Sequence, residues 1–265
     1  MSTPLLFSPL ELRSLTLENR IVLSPMCQYM AIDGLVQDWH LAHHSRFALS
    51  GIGLGIVEAT AVQRDGRITH GCTGIWDDAQ IGGMKKIVDL YHAHGVAAGI
   101  QIGHAGRRAS AQRPWEGAQP LAANAKHDPA WQTVGPSAVP EKPGNPVPRE
   151  LSVGEIEALL HDFANAARRV LASGFDVLEI HGAHGYLVHS FLSPLSNHRT
   201  DAYGGTPEKR MRLPLEVAEA IRQVWPADKP LFYRASVVDG VEGGTTIEDT
   251  VALAIELKKR GVDVI

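Results

Sequence analysis

An α/β protein of the TIM (β/α)8 barrel type is the fold class this sequence predicts, on three observations. Apolar, β-branched runs alternate with longer helical patterns, which implies parallel strands joined by right-handed crossovers. Two of the runs, 54–57 and 97–102, are largely apolar, as strands covered on both faces are. Unusual polar and glycine-rich clusters sit just past strand ends: 25–29, 104–108 and 181–186. In a barrel that end is the catalytic face. A doubly wound open sheet competes, but no G-x-G-x-x-G follows any strand. Gly51-Ile-Gly-Leu-Gly55 precedes its strand and reads as a turn.

The expected strands are 21–23, 54–58, 97–102, 175–180, 231–235 and 262–265, with helices at 38–50, 78–94, 153–173, 207–224 and 247–260. Ser152…Glu155 and Thr245…Glu248 have capping-box spacing, in which hydroxyl and carboxylate satisfy orphan N–H groups reciprocally. Ile156, Leu159, Leu160, Phe163, Ala167, Val170 and Leu171 fall on one helical face. Gly174 and Gly261 end their helices, and Thr206-Pro207 suits an N-cap and first helical position. Six strands are two short of a barrel, so strands 7 and 8 are expected to be missing from 1–265, a single barrel domain incomplete at its C-terminus. The segment 105–150 holds eight prolines, together with Trp115 and Trp131. A connection of that length is expected to be a packed lid or hairpin over the active-site face.

The 265 residues are 44% hydrophobic and 20% charged, an ordinary globular profile. A formal charge of −4 offers no field for a phosphate backbone, so nucleic acid is not an expected partner. No stretch approaches a membrane span and the first twenty residues do not read as a signal peptide. Cys27 and Cys72 alone make no disulfide scaffold and fit a reducing, cytoplasmic setting.

Three groups of residues can carry chemistry. His181, His184 and Tyr186 lie just past a strand, where two imidazoles and a phenol can clamp an oxygen and donate a proton. With His189 the same histidines have a metal-binding spacing, and backbone bonding in a turn is the plainer alternative. Cys27, after the first strand, reads as a redox tuner, a small core residue or, least well supported, a nucleophile. Gln101 and Arg234 end strands as a fixed amide and a fixed cation. Together these residues suit a flat, polar-edged ring carrying negative charge. His40, His43 and His44 share a helical face and read as packing more readily than as metal ligands.

Taken together, Ser24-Pro-Met-Cys27 with Tyr29, Val57-Glu-Ala59, Gly66-Arg-Ile68, Gln101 with His104-Ala-Gly-Arg107, His181-x-x-His-Gly-Tyr186 and Phe191-Leu-Ser-Pro-Leu-Ser-Asn-His-Arg-Thr-Asp-x-Tyr-Gly-Gly205 resemble the old yellow enzyme family, in its thermophilic-like and xenobiotic reductase branch. The resemblance implies an FMN-dependent NADPH dehydrogenase or ene-reductase, taking hydride from NADPH or NADH and reducing the C=C bond of an α,β-unsaturated carbonyl or nitro compound. It implies that His181 and His184 hold the substrate oxygen and that Tyr186 protonates the α-carbon. Cys27 would tune the flavin near N5, and Tyr29 would touch substrate or flavin. Ser24, Pro25, Met26 and Ala59 would contact the isoalloxazine, Gln101 its pyrimidine edge and Arg234 its N1/O2 side. Arg108 stands where many members have Lys, which keeps the charge but changes donor geometry. A homo-oligomer, dimer or tetramer, is expected. Because strands 7 and 8 carry the FMN phosphate site in the family, 1–265 alone is expected to associate and to hold no flavin. A non-catalytic barrel fragment and a His-ligated metal hydrolase are the alternatives.

Overall fold

The structure, a computed structural model, describes residues 4–125 and 128–265. In chain order the elements are β1 (Leu10–Leu12), β2 (Leu15–Leu17), β3 (Val22–Leu23), α1 (Asp38–Ala48), β4 (Leu54–Ala61), α2 (Ile81–His92), β5 (Ala97–Gly103), β6 (Val134–Gly135), β7 (Arg149–Glu150), α3 (Val153–Ala172), β8 (Val177–Gly182), α4 (Leu187–Leu192), α5 (Pro207–Arg210), α6 (Arg212–Arg222), β9 (Leu231–Ala235) and α7 (Ile247–Lys259). One parallel sheet runs β3-β4-β5-β8-β9, the strand-helix alternation of a (β/α)8 barrel. The run 262–265 adds a single parallel bridge, Val264 to Phe232, beside the fifth strand. The sheet curls enough that Arg234 Nη1 donates to Ser24 Oγ at 2.8 Å, joining the C-terminal ends of its two edge strands.

Each face of the sheet has its own core. The outer core lies under the helices, with Met84, Ile87 and Tyr91 of α2, Ile156, Phe163 and Val170 of α3, and Leu213, Val217 and Ile221 of α6. Full burial of each such side chain contributes roughly 1.5–3 kcal/mol. The inner core is small: Leu17, Leu54, Ile56, Val177 and Phe232, backed by Leu10, Leu12 and Leu15. The β1–β2 hairpin therefore plugs the N-terminal end. Arg13 at its turn clasps Asp263 at 2.7 Å and also donates to the carbonyls of Gly261 and Ala227.

Inward positions change character toward the C-terminal mouth. Val177, Glu179 and His181 succeed one another along β8, and Phe232 and Arg234 along β9. Gln101 and Glu179 are register partners, as are His181 and Arg234. The apolar layer thus gives way to amide and carboxyl, then to imidazole and guanidinium.

Several local expectations hold, and others shift. Ser152 and Glu155 make the expected capping box, and Thr206 caps α5 with Pro207 at its first turn. The second box uses Thr246 and Asp249, one residue later than Thr245 and Glu248. The 207–224 helix is interrupted at Met211. The β1–β2 hairpin, the short α4 and the two-residue parallel pair β6–β7 have no counterpart in the sequence reading. No helix among the described residues is long and apolar enough to cross a membrane.

Candidate active site

His181 reaches the mouth from the end of β8, and glycine makes its place. A Cβ on Gly103 of the neighbouring strand would lie 2.9 Å from the His181 Cβ. After β8 the chain turns sharply, with His184 at φ +61° and Gly185 at φ +71°. A non-glycine residue in that region needs external support. Ser236 Oγ accepts the His184 N–H at 2.9 Å, and Arg108 donates to its carbonyl. Tyr186 then opens α4.

This turn brings three rings edge to face. His181 lies 5.0 Å from His184 and 4.8 Å from Tyr186, and His184 lies 6.1 Å from Tyr186. Burial, with His184 and Arg234 adding to it, lowers the His181 pKa to about 3. His184 is lowered too, by burial and then by Arg234 and Arg108. Both rings are therefore neutral at pH 7. His181 Nδ1 accepts the Ala183 N–H at 3.3 Å, which leaves Nε2 to carry the proton. Burial pushes the Tyr186 hydroxyl well above its usual range, so it keeps its proton, while the Arg108 guanidinium lies 5.5 Å from the ring centre. The site offers neutral donors.

The other candidates gather around the same mouth. Ser24 bonds Arg234, as described. Gln101 donates to Glu179 Oε1 at 2.7 Å and keeps its own carbonyl oxygen. Pro25 is half-buried, Met26 exposed, and Ala59 half-buried at the end of β4. Burial, with the acidic groups of Cys72 and Glu58 close by adding to it, raises the Cys27 thiol well above its ordinary value. A thiol so protonated is a poor nucleophile. Tyr29, at φ +55°, meets Trp115 edge-on at 6.1 Å and gives its carbonyl to Arg113 Nε at 3.1 Å. A cavity of about 650 Å³ lies between Tyr29 and Tyr186 on one side and Ala109, Gln112, Trp131 and Lys142 of the long connection on the other. A slot of about 20 Å³ bounded by Ala59, Cys72, His181 and Tyr186 lies beside it.

Two groups do not join them. His189 is turned away, its Nδ1 accepting the Gly185 N–H at 2.9 Å and its Nε2 facing Asp239 at 3.4 Å. Among the described residues no three His, Cys, Asp or Glu side chains are grouped to hold a metal. His40, His43 and His44 lie on α1, away from the ring cluster. The sequence reading did not single out Glu58, Glu179 or Ser236. The two glutamates each interrupt an apolar strand, a signal that was present.

The residues present fit a flavin ring. Gln101 has a carbonyl oxygen left to accept from a ring N–H, and Arg234 brings a cation able to face an electron-rich ring edge.

The model of the NADH:flavin oxidoreductase / NADH oxidase family matches residues 5–265. An NADH:flavin oxidoreductase of Gibberella zeae is 44% identical over 98% of the chain and 65% of its own length. The NADPH dehydrogenase of Geobacillus thermodenitrificans is 44% identical over 98% of the chain and 71% of its own, and that of Bacillus subtilis 42% over 98% and 72%. The chain thus spans about two thirds of the length of the relatives it matches. Among solved structures, morphinone reductase superposes with a TM-score of 0.84 at 31% identity, covering 99% of the chain and 71% of its own. The old yellow enzyme homologue from Zymomonas mobilis gives 0.83 at 28%, covering 98% and 72%.

Proposed function

The chain belongs to the NADH:flavin oxidoreductase / NADH oxidase family, and from that premise we propose that the protein it represents is an FMN-dependent ene-reductase. Its substrates are alkenes activated by a carbonyl or nitro group. One observation carries the reading: two neutral imidazoles and a protonated phenol converge within 4.8–6.1 Å, with Tyr186 on the wall of the cavity of about 650 Å³ and His181 on the slot that shares Tyr186 with it. When bound, FMN supplies the hydride, which NADPH or NADH provides.

The chain's own residues do the rest. His181 Nε2–H and His184 donate to the substrate oxygen, drawing charge out of the conjugated double bond where it accumulates in the transition state. Neutral donors do this without being deprotonated. Tyr186 donates the proton to the α-carbon, and Arg108 beside its ring steadies the phenolate that remains. Arg234 would offset negative charge on a bound flavin ring, and its bond to Ser24 holds the guanidinium in place. Cys27 stays protonated and tunes the ring's surroundings. Tyr29 closes the substrate side, under the 105–150 segment acting as a lid. Free Cys27 and Cys72 suit the cytoplasm, and a homo-oligomer completes the reading.

The test is NADPH-driven reduction of cyclohexenone by purified protein supplied with FMN. Yellow protein that bleaches with NADPH and recovers with enone supports the reading. Folded protein that binds FMN but transfers nothing to enones or nitroalkenes overturns it. Failure to bind FMN at all would favour the non-catalytic reading.

A further inference from the structure

Glu58 and His40 take no part in the chemistry above, yet both are sealed from solvent, at 1% and 0% exposure, and they face each other. In a regular strand Glu58 would follow Leu54 and Ile56 into the interior. The register with β5 shifts between Val57 and Thr60, and the carboxyl instead meets α1 and the loop after β3. Its Oε2 accepts the Gln28 N–H at 2.9 Å. Among the described residues its Oε1 has no hydrogen-bond partner, nor has His40 Nε2, and these two atoms stand 3.5 Å apart. His40 Nδ1 lies 3.0 Å from the Gln37 N–H and 3.3 Å from the Gln37 carbonyl, and the shorter contact favours the tautomer in which Nδ1 accepts and the proton sits on Nε2, toward Glu58. A buried donor and a buried acceptor, otherwise idle, are aimed at each other, and buried polar atoms are seldom left so.

We infer that Glu58, paired with His40, is a positioning residue that anchors the 25–29 loop and so sets where Cys27 and Tyr29 stand at the mouth. The inference rests on the function proposed for that mouth. Gln28 lies between the two, so one bond to its N–H fixes both neighbours, and it holds Tyr29 in its left-handed conformation. Helix α1 grips the loop a second time, Trp39 Nε1 donating to Gln28 Oε1 at 3.2 Å.

The anchor depends on protonation. The titratable groups facing Glu58 are His40 on α1, Cys27 on the loop and Cys72 on the 69–72 turn, with His43 and His44 beyond His40. Burial raises the Glu58 carboxyl to about 8, against the pull of the Gln28 and Tyr29 N–H groups. Ionised, it accepts from the loop and from His40 Nε2–H together. Protonated on Oε1, it sets one donor against another, and relief requires the His40 tautomer that gives up the Gln37 N–H. The grip on the loop slackens as pH falls through that value.

The test follows alkylation of Cys27 by iodoacetamide across pH values around 8, in the 265-residue chain without added flavin. Peptide mapping separates Cys27 from Cys72. The expected wild-type rate profile bends in this range for the carboxyl, below the thiol's own bend, which lies at higher pH. Glu58→Gln should lose the lower bend and react several-fold faster, since it removes both the negative charge and the anchor. His40→Asn should move the lower bend to higher pH. The absence of a bend near pH 8 in the wild type overturns the inference, and so does a wild-type profile in folded Glu58→Gln. If Glu58→Gln does not fold, an unmoved bend in His40→Asn overturns it. No flavin or alkene enters this measurement. Failure of enone reduction would therefore sink the proposed function and leave the anchor standing, and the reverse also holds.

Discussion

Two histidine clusters in this molecule share geometry and differ in employment. His43 and His44 on α1 meet edge-on at 5.0 Å and 84°, and His181 and His184 at the mouth meet edge-on at 5.0 Å and 78°. Burial lowers both: His44 and His181 each come down to about 3. On α1 one nitrogen of each ring is bonded to protein, and His44 Nε2 is sealed in the core with no hydrogen-bond partner among the described residues. His44 Nδ1 bonds Tyr91 Oη at 2.7 Å, and Arg46 Nη2 donates to His43 Nδ1 at 3.0 Å. At the mouth His181 commits only Nδ1, to its own turn, and Nε2 is free to face the cavity side. Ring spacing and basicity therefore do not tell the pair proposed as catalytic from the one packed on α1. What tells them apart is where the uncommitted nitrogen sits: His181 lines a slot at the mouth, whereas His44 is enclosed by packed side chains.

The comparison breaks most sharply on the mouth pair. His181→Ala with His184→Ala should retain FMN and lose on the order of 10²-fold or more in enone turnover. Steady-state kinetics with cyclohexenone decide it; unchanged turnover would mean that the mouth cluster is as structural as the other. Gly103→Ala should come next, displacing the His181 ring at a cost of about 1–3 kcal/mol and a matching drop in kcat. Denaturant melts beside kinetics would show whether stability and rate fall together.

On α1 the expected effect is on stability alone. His44→Leu leaves the Tyr91 hydroxyl buried and unpaired, a cost of about 1–3 kcal/mol, and adding Tyr91→Phe should recover much of it. A kcat loss comparable to that at the mouth would erase the distinction.

The pH dependence should be common to both clusters. A histidine held neutral with a folded pKa below its unfolded value contributes stability present above the unfolded pKa. That stability is lost as pH falls from about 6.5 toward about 3, by at most about 1.4 kcal/mol per pH unit for each such ring. Thermal melts of His44→Leu and His181→Ala between those limits should each show a shallower acid decline than wild type. The smallest effect belongs to Cys27→Ser, which should shift flavin potential and rate modestly, since a thiol kept protonated is not the attacking group. A covalent substrate adduct on Cys27 would reverse that assignment.

The mouth was legible because its residues break a pattern. Gln101, His181 and Arg234 interrupt apolar strands, and His184 and Tyr186 follow one directly. Glu58 and Glu179 interrupt strands equally, but a buried carboxyl has meaning only through its partners, and His40 and Gln101 come from distant stretches of chain. The second capping box slipped by a residue because Thr245-Thr246 with Glu248-Asp249 offers two overlapping Thr-x-x-acid choices. The β1–β2 hairpin has strands of three residues, too short for alternation to register. The bulge in β4 leaves no trace in composition, and the roles of site residues came from motif resemblance, which spacing alone left open.

The clasp between Arg13 and Asp263 spans 250 positions of sequence. A ribosome releases the hairpin turn long before it has made the carboxylate that receives it, so the plug must wait, its leucines exposed, until the rest of the sheet has formed. Contacts of such separation are closed late, after the loop entropy between them has been reduced by everything folded in between. Losing the clasp should thus hardly slow folding and should chiefly hasten unfolding, which makes the bottom of the sheet a governor of the protein's lifetime.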